Sequence, residues 1–235
     1  LLSQLTSTHQ AFIVSPGRDN RIEFSARTLL RNGDKEPIVL RSPVLMSSTV
    51  IGDSEDGRDV LRKIAEKYGT LALGDLQESV TIKATYRPDE DLEDALYRMA
   101  GLAEAAAFNG AQNIIFDDSI KDGEIPIPPS IVTAVVHQHL RVTGVPIEFA
   151  GQMISESLRS RVNLIGNFRG VTSVEEIREC IMHGMDAVAP SLAFDASMGI
   201  FEKDLDGHLT ERRSELIQRG LNALCGLEED LAIAS

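Results

Sequence analysis

The segment from Leu158 to Ser191, LRSRVNLIGNFRGVTSVEEIRECIMHGMDAVAPS, constrains the fold more than any other part of the chain. It holds a short apolar run (Val162 to Ile165), a Gly-containing turn (Gly166 to Gly170), a helical pattern (Ser173 to His183) and a second apolar run (Ala187 to Ala189). Strand, turn, helix and strand at this spacing read as a parallel βα unit. Paired loops of this kind near the end of a (β/α)8 barrel commonly grip a phosphate through backbone N–H groups and a helix N-terminus. The segment therefore predicts a barrel and, over its turn, a phosphorylated ligand.

The same alternation runs upstream. Val44 to Met46, closed by Ser47, Ser48 and Thr49, reads as a first strand, and a helix from about Asp56 to Tyr68 stops at Gly69. Strands are expected at Thr70 to Leu73 and Val80 to Thr85, then an Ala-rich helix opened by Pro88 and Asp89 to Asp91 and ended at Asn109 and Gly110. Ile114 to Phe116 is the next strand, Pro129 opens a helix to about Val142, and Ile147 to Ala150 is a further strand. The count reaches seven or eight strands. The expected architecture is α/β, a (β/α)8 TIM-like barrel with its core at about 43–191. An N-terminal lead-in occupies residues 1–36, and a helical tail starts at Leu209. The chain of 235 residues is read as one domain, since such barrels run to about 250 residues.

A formal net charge of −13 opposes non-specific attraction to nucleic acid and to anionic membranes, and the basic residues form no stripe. Cys180 and Cys225 are the two cysteines, without a CxxC spacing, which argues against a disulfide framework or a zinc site and suits a reducing cytosol. No apolar run approaches the roughly 20 residues of a bilayer span. A cytoplasmic location is the expectation.

In a parallel barrel, active-site residues lie at the C-terminal strand ends. That rule selects Ser47, Ser48 and Thr49; Gly74, Asp75 and Gln77; Lys83 and Thr85; Asp117 and Asp118; Gly151 and Gln152; Asn167 and Arg169; and Pro190 and Ser191. Lys83 stands between Ile82 and Ala84 in mid-strand. Pointing inward it would suit a flavin ring, an anionic intermediate or a Schiff base, and pointing outward it reaches solvent. The adjacent Asp117 and Asp118 suit a divalent cation or acid/base chemistry, but the plainer reading is favoured: one caps the turn and the other faces water. Arg169 offers a guanidinium fork for phosphate, beside the helix-capping Thr172 and Ser173. His137 and His139, two apart on a helix, do not share a face, so no metal site is expected. Glu175, Glu176 and Glu179 read as a solvated helix face.

The run from Gly144, GVPIEFAGQMISESLRSRVNLIGNFRGVTSVEEIRECIMHGMDAVAPS, resembles the FMN-binding barrel domain of glutamate synthases. It is similar to that family's GLPWE-type turn, LRDRV strand start, DGG-RTG phosphate loop and GAD strand. EPIVLRSPVLMSST resembles the approach to the family's first barrel strand, and TERRSELIQRGLNALCGLEEDLA resembles its helical tail. The resemblance implies FMN as cofactor. It would place Ser47 and Ser48 near a first-strand flavin contact. Asn167, Phe168, Arg169 and Gly170 would fall at the flavin phosphate loop, with Ala189, Pro190 and Ser191 beside them. Lys83 is similar in type to a strand lysine approaching the flavin ring, and is the candidate catalytic residue.

The chain also departs from that family. ALGDLQES stands where the family has a GEGG loop, a Gly-Gly-Thr-Gly segment is missing, and Asn167 and Phe168 replace the phosphate-loop glycine pair. Those glycines let backbone approach phosphate and ring closely. The cysteines that ligate the family's cluster are absent, so no iron–sulfur cluster and no glutamate synthase activity are expected of this chain in isolation. Three functions follow: an FMN-dependent oxidoreductase without a cluster; a catalytically degenerate barrel serving as a binding or structural subunit of a larger complex; or a phosphate-binding aldolase-type barrel using Lys83. Each takes a small-molecule ligand, and a protein partner subunit or homo-oligomer is an open expectation.

Overall fold

The computed structural model of the protein describes residues 10–16, 22–32, 35–49, 51, 55–121 and 123–197. The tail expected from Leu209, the second cysteine Cys225, and residues 1–9 of the lead-in lie outside these.

Four strands run parallel at the centre, in the order β11 (Ala187–Ala189), β10 (Asn163–Asn167), β6 (Asn113–Asp117) and β4 (Ser79–Lys83). Two further segments extend the array. Val44 bridges Val188 and Met46 bridges Ala72, both in parallel, and the amides of Leu45 and Met46 donate to the carbonyls of Val188 and Leu71 at 2.9 Å. The spatial order is therefore 70–73, 43–46, β11, β10, β6, β4. The first parallel segment of the chain lies beside the last, the neighbour relation a closed barrel has. Among the described residues no ladder joins β4 to 70–73, and Thr81 on β4 is exposed at that seam. The architecture is mixed α/β, a parallel sheet with helices, and the described residues contribute six parallel segments toward the seven or eight strands expected from sequence.

The difference lies in one stretch. Ile147 to Ala150, expected to be a barrel strand, belongs to an antiparallel hairpin of β8 (Gly144–Phe149) and β9 (Gln152–Ser157). The apolar run is real, but its continuation is a two-residue turn with φ of 51° at Ala150 and 75° at Gly151. Two successive positive φ values are the signature of the type I′ turn that folds a chain directly back on itself. Strands β5 (Thr85–Tyr86) and β7 (Ile125–Pro126) form a second small antiparallel pair.

Period-two alternation gives the parallel strands two apolar faces. One face, including Ile82, Ile114, Phe116, Leu164 and Val188, packs under the helices α2 (Leu92–Phe108), α3 (Pro129–Val142) and α4 (Val174–His183). The other carries Leu45, Ile115, Ile165, Ala187 and Ala189 inward, where they meet Leu30 of the lead-in and Leu40 just after it. The lead-in strands β1 (Gln10–Pro16) and β2 (Ile22–Leu30) form an antiparallel sheet with the following β3 (Ile38–Leu40). It stops the N-terminal end of the inward face: Arg31 N–H donates to Asn163 Oδ1 at 2.8 Å, and Asn163 Nδ2 donates back to the Arg31 carbonyl at 3.0 Å. The opposite end, where β4, β6 and β10 finish, stays polar.

The helices start and stop as the sequence indicates. α1 (Glu55–Tyr68) is followed by Gly69 at φ 67°, Asp91 caps α2 by accepting from Glu93 N–H at 2.8 Å, and Pro129 opens α3. Each side-chain cap contributes on the order of 1 kcal/mol. Gly184 ends α4 at φ 116°, and a Cβ there would lie 2.1 Å from the His137 ring, so both backbone and space require glycine.

Arg159 and Asp186 form an ion pair at 2.8 Å, with side chains 9% and 4% exposed. Arg159 Nε donates to His137 Nδ1 at 3.2 Å, which requires that nitrogen to be unprotonated. Burial, and then the Arg159 charge, hold the His137 imidazole below its ordinary value. The folded state therefore binds this proton less readily than the unfolded chain. His137 contributes stability in full above pH 6.5, and that contribution is lost as pH falls below this value. The slope is at most about 1.4 kcal/mol per pH unit, the limit for one proton. Urea unfolding between pH 5 and 7.5 is expected to show this fall, and His137→Gln to flatten it; an unchanged slope in the variant would assign the acid sensitivity elsewhere.

Candidate functional site

The strand register decides which residues reach the polar end. In the parallel ladders Lys83 of β4 pairs with Asp117 of β6, which pairs with Asn167 of β10, which pairs with Ala189 of β11. One row across the sheet thus brings an ammonium, a carboxylate and an amide together, and Ser47 joins it from the loop after the 43–46 segment. Ser47 Oγ donates to Asn167 Oδ1 at 3.3 Å, Asn167 Nδ2 donates to Asp117 Oδ1 at 3.2 Å, and Lys83 Nζ donates to Asp117 Oδ2 at 2.5 Å. Ser119, just past the strand, closes the group. Its hydroxyl donates to Asp117 Oδ2 at 2.5 Å and accepts from Lys83, while its carbonyl accepts from Lys83 at 3.2 Å. Burial pushes the Asp117 carboxyl upward, but the bonds from Lys83 and Ser119 outweigh it and hold the group below its ordinary range.

Lys83 therefore faces inward, with its three N–H donors directed to Asp117 and Ser119. The plain reading of the aspartate pair, with one member facing water, is corrected: Asp117 is 9% exposed and Asp118 is 5% exposed. Asp117 does cap its turn, accepting from Ser119 N–H at 3.3 Å. Asp118 reaches across to the turn after β10 and accepts from Arg169 N–H at 2.7 Å and Gly170 N–H at 3.0 Å.

This last pair changes the meaning of the turn. The backbone donors expected to meet a phosphate are already bound to an internal carboxylate. The next donors along the chain are bound as well. Glu176 Oε2 accepts from Thr172 N–H at 2.7 Å and Ser173 N–H at 3.0 Å, and Ser173 Oγ accepts from Glu176 N–H at 3.3 Å, a capping box at the start of α4. The Thr172 bond is the main cause that holds Glu176 below its ordinary value. Glu176 is thus a cap rather than part of the solvated face expected from sequence. The residues in the place of a glycine pair also have structural roles: Asn167 bridges Ser47 and Asp117, and Phe168 is fully buried. A Cβ on Gly166 would lie 2.2 Å from the Phe168 ring, so Phe168 fills the space that Gly166 leaves.

Around this row opens a cleft of about 280 Å³. Ser47, Ser48, Asn167, Arg169 and Ser191 all line it, together with Asp117 and Ser119. These five candidates, distant in sequence, are thus brought to one place. Gly170 contributes its amide to Asp118, and Pro190 is buried with its carbonyl accepting from Phe194 N–H at 2.9 Å in α5 (Ser191–Ser197). An adjoining cavity of about 360 Å³ shares Ser47, Ser48 and Asn167 as walls and is otherwise mostly apolar, with Met46, Leu61 and Ile115 among its lining. Gly74 and Asp75 line this second cavity. Gly151 and Gln152 sit in the hairpin.

Sequence reasoning missed Asp195 and Ser119. Asp195, 2% exposed on α5, accepts from Thr49 N–H at 2.8 Å and from the hydroxyls of Ser48 and Thr49. It fixes the 47–49 loop over the cleft. Nothing in local pattern marks it, because its partners lie some 146 positions away. Elsewhere, Cys180 is buried and its thiol is pushed up to about 12 by that burial, which leaves it unreactive. No group of metal-ligating side chains forms among the described residues, and none of their helices is long and apolar enough to cross a membrane.

The family model of the glutamate synthase central domain matches residues 23–226. The chain belongs to that family. A stretch of 106 residues, 45% of the chain, is 31% identical to the glutamate synthase [NADPH] large chain of Bacillus subtilis (strain 168), and the match covers 6% of that relative. The resemblance to glutamate synthases read from the sequence is thereby shown, with the central domain as the matching unit. For this glutamate synthase central domain, the match spans most of β2, all of β3, the whole parallel array and the cleft, and leaves β1 outside.

Proposed function

We propose that this central domain is the binding or structural element of a glutamate-synthase-type assembly, and that it does not hold FMN in its cleft. One observation carries the reading: the donors that would grip a flavin phosphate are occupied by the chain's own Asp118 and Glu176. A phosphate dianion at the 167–170 turn would have to displace Asp118 and would meet its charge at close range, in a chain of formal net charge −13. The residues present do not fit that group. Asn167 supports the same conclusion, since its side chain lines the cleft where a glycine would leave room and is bonded to Ser47 and Asp117.

The aldolase reading fares no better. A Schiff-base lysine must present a free amine to its substrate, and Lys83 Nζ is already directed to Asp117 and two oxygens of Ser119. The six parallel segments, first beside last, support a shortened barrel open at the 70–73/β4 seam, with its polar cleft at the end where barrel sites lie. The small share of the relative that is matched supports a role alongside other domains or subunits. We place that assembly in the cytoplasm, as the cysteine content suits.

Titration of FMN with the 235-residue chain, followed by flavin fluorescence and calorimetry, is expected to show no saturable binding up to hundreds of micromolar. Stoichiometric FMN binding, quenched fluorescence and a yellow purified protein would overturn the reading.

A further inference from the structure

We infer that the cleft at the strand ends is a site for a small monocarboxylate, gripped by Arg169 and Ser191. The inference rests on the reading above that the cleft does not serve FMN. It follows from which polar groups remain once internal bonds are counted.

Both oxygens of Asp117 are engaged, Oδ2 by Lys83 and Ser119 and Oδ1 by Asn167 and Ser119. Ser48 and Thr49 are tied to Asp195, and Asp118 is tied to two amides. Two groups on the cleft wall stand outside this network. The Ser191 hydroxyl is buried, in a residue 1% exposed, and has no hydrogen-bond partner among the described residues. A buried hydroxyl without a partner costs on the order of 1–3 kcal/mol, so a native fold that keeps one at a cleft wall gains from a ligand that satisfies it. The Arg169 side chain, on an exposed residue at the same wall, enters no ion pair among the described residues. Its backbone is fixed by Asp118. The unused capacity of this wall is one hydroxyl and five guanidinium N–H donors, which together suit an oxyanion.

Charge decides which oxyanion. Lys83 and Arg169 are positive, and Asp117, Asp118 and Asp195 are negative, on or directly behind the cleft walls. One unpaired guanidinium in a surround of net charge near −1 favours a single negative charge over a phosphate dianion. A planar carboxylate also matches the guanidinium fork. The volume of about 280 Å³ limits the ligand to a few carbons beyond its carboxylate.

Calorimetry and backbone-amide NMR on the full chain test this with butyrate and inorganic phosphate as probes. Butyrate is expected to bind in the millimolar range and shift the amides of Arg169 and Ser191, with phosphate at least tenfold weaker. Ser191→Ala is expected to weaken butyrate about tenfold while leaving the melting temperature unchanged or raised, since it removes an unpartnered hydroxyl. A merely structural serine would do neither. Arg169→Gln is expected to lose more than tenfold, and Arg169→Lys to recover part of that. Equal butyrate affinity in Ser191→Ala, phosphate binding tighter than butyrate, or no binding of either probe overturns the inference. FMN binding in the parallel titration would instead overturn the reading on which it rests.

Discussion

Arg159→Ala is expected to cost about 3–5 kcal/mol of folding stability, the range for removing one partner of a buried ion pair. The guanidinium joins four parts of the fold. Its Nη2 donates to Asp186 Oδ2 and to the Gly184 carbonyl, both at 2.8 Å, its Nη1 to the Val162 carbonyl at 2.9 Å, and its Nε to His137. Asp186 Oδ2 also accepts from Leu164 N–H at 2.7 Å. Truncation leaves that carboxylate, 4% exposed at its side chain, with one backbone donor and no directly paired cation, only the Arg31 charge acting without an ion-pair contact. Two carbonyls lose a donor at the same time. Urea unfolding measures the loss directly, and a cost under 1 kcal/mol would mean that water replaces the guanidinium in solution. Because the pair lies at the N-terminal end of β10, far along the strand from the cleft, butyrate affinity of the folded variant is expected to be unchanged.

What the sequence made legible follows from the range of each signal. Helix ends were local: Asp91, Pro129, Ser173 and Gly184 each act within a few residues of where they stand, and the observed helices α2, α3 and α4 begin and end there. Short apolar runs mark β6, β10 and β11 for the same reason. The hairpin is not legible locally, because Ile147 to Ala150 has strand character in either partnership, and only the φ values at Ala150 and Gly151 separate a hairpin from a barrel strand. The cleft was partly legible. The rule that selects C-terminal strand ends found Ser47, Asn167, Arg169 and Ser191, which do converge. It could not foresee that Asp118 would satisfy the turn it was expected to leave open, since Asp118 and Arg169 lie 51 positions apart. Two adjacent aspartates look alike in sequence. Strand pleating sends Asp117 into the row with Lys83, and the bend after β6 sends Asp118 to the neighbouring loop.

Asp118→Ala tests that last arrangement, and is expected to destabilise the fold by about 2–3 kcal/mol. A carboxylate accepting two backbone N–H bonds is worth roughly 1.5–3 kcal/mol per charged bond when buried. Arg169 and Gly170 are exposed residues, so water recovers part of the loss at their amides. Removing the side chain also removes the negative charge that opposes an external anion, and it frees two adjacent N–H donors in a turn beside Arg169. Added inorganic phosphate is therefore expected to raise the melting temperature of Asp118→Ala and to leave the unsubstituted chain unaffected at the same ionic strength, because a ligand stabilises only the state that binds it. Asp118→Asn, which keeps one acceptor oxygen without the charge, is expected to fall between the two in stability. It should gain little from phosphate, since the amide still occupies the turn. Equal phosphate stabilisation of all three proteins would show that the anion binds elsewhere, and that Asp118 is not what keeps phosphate out of this loop.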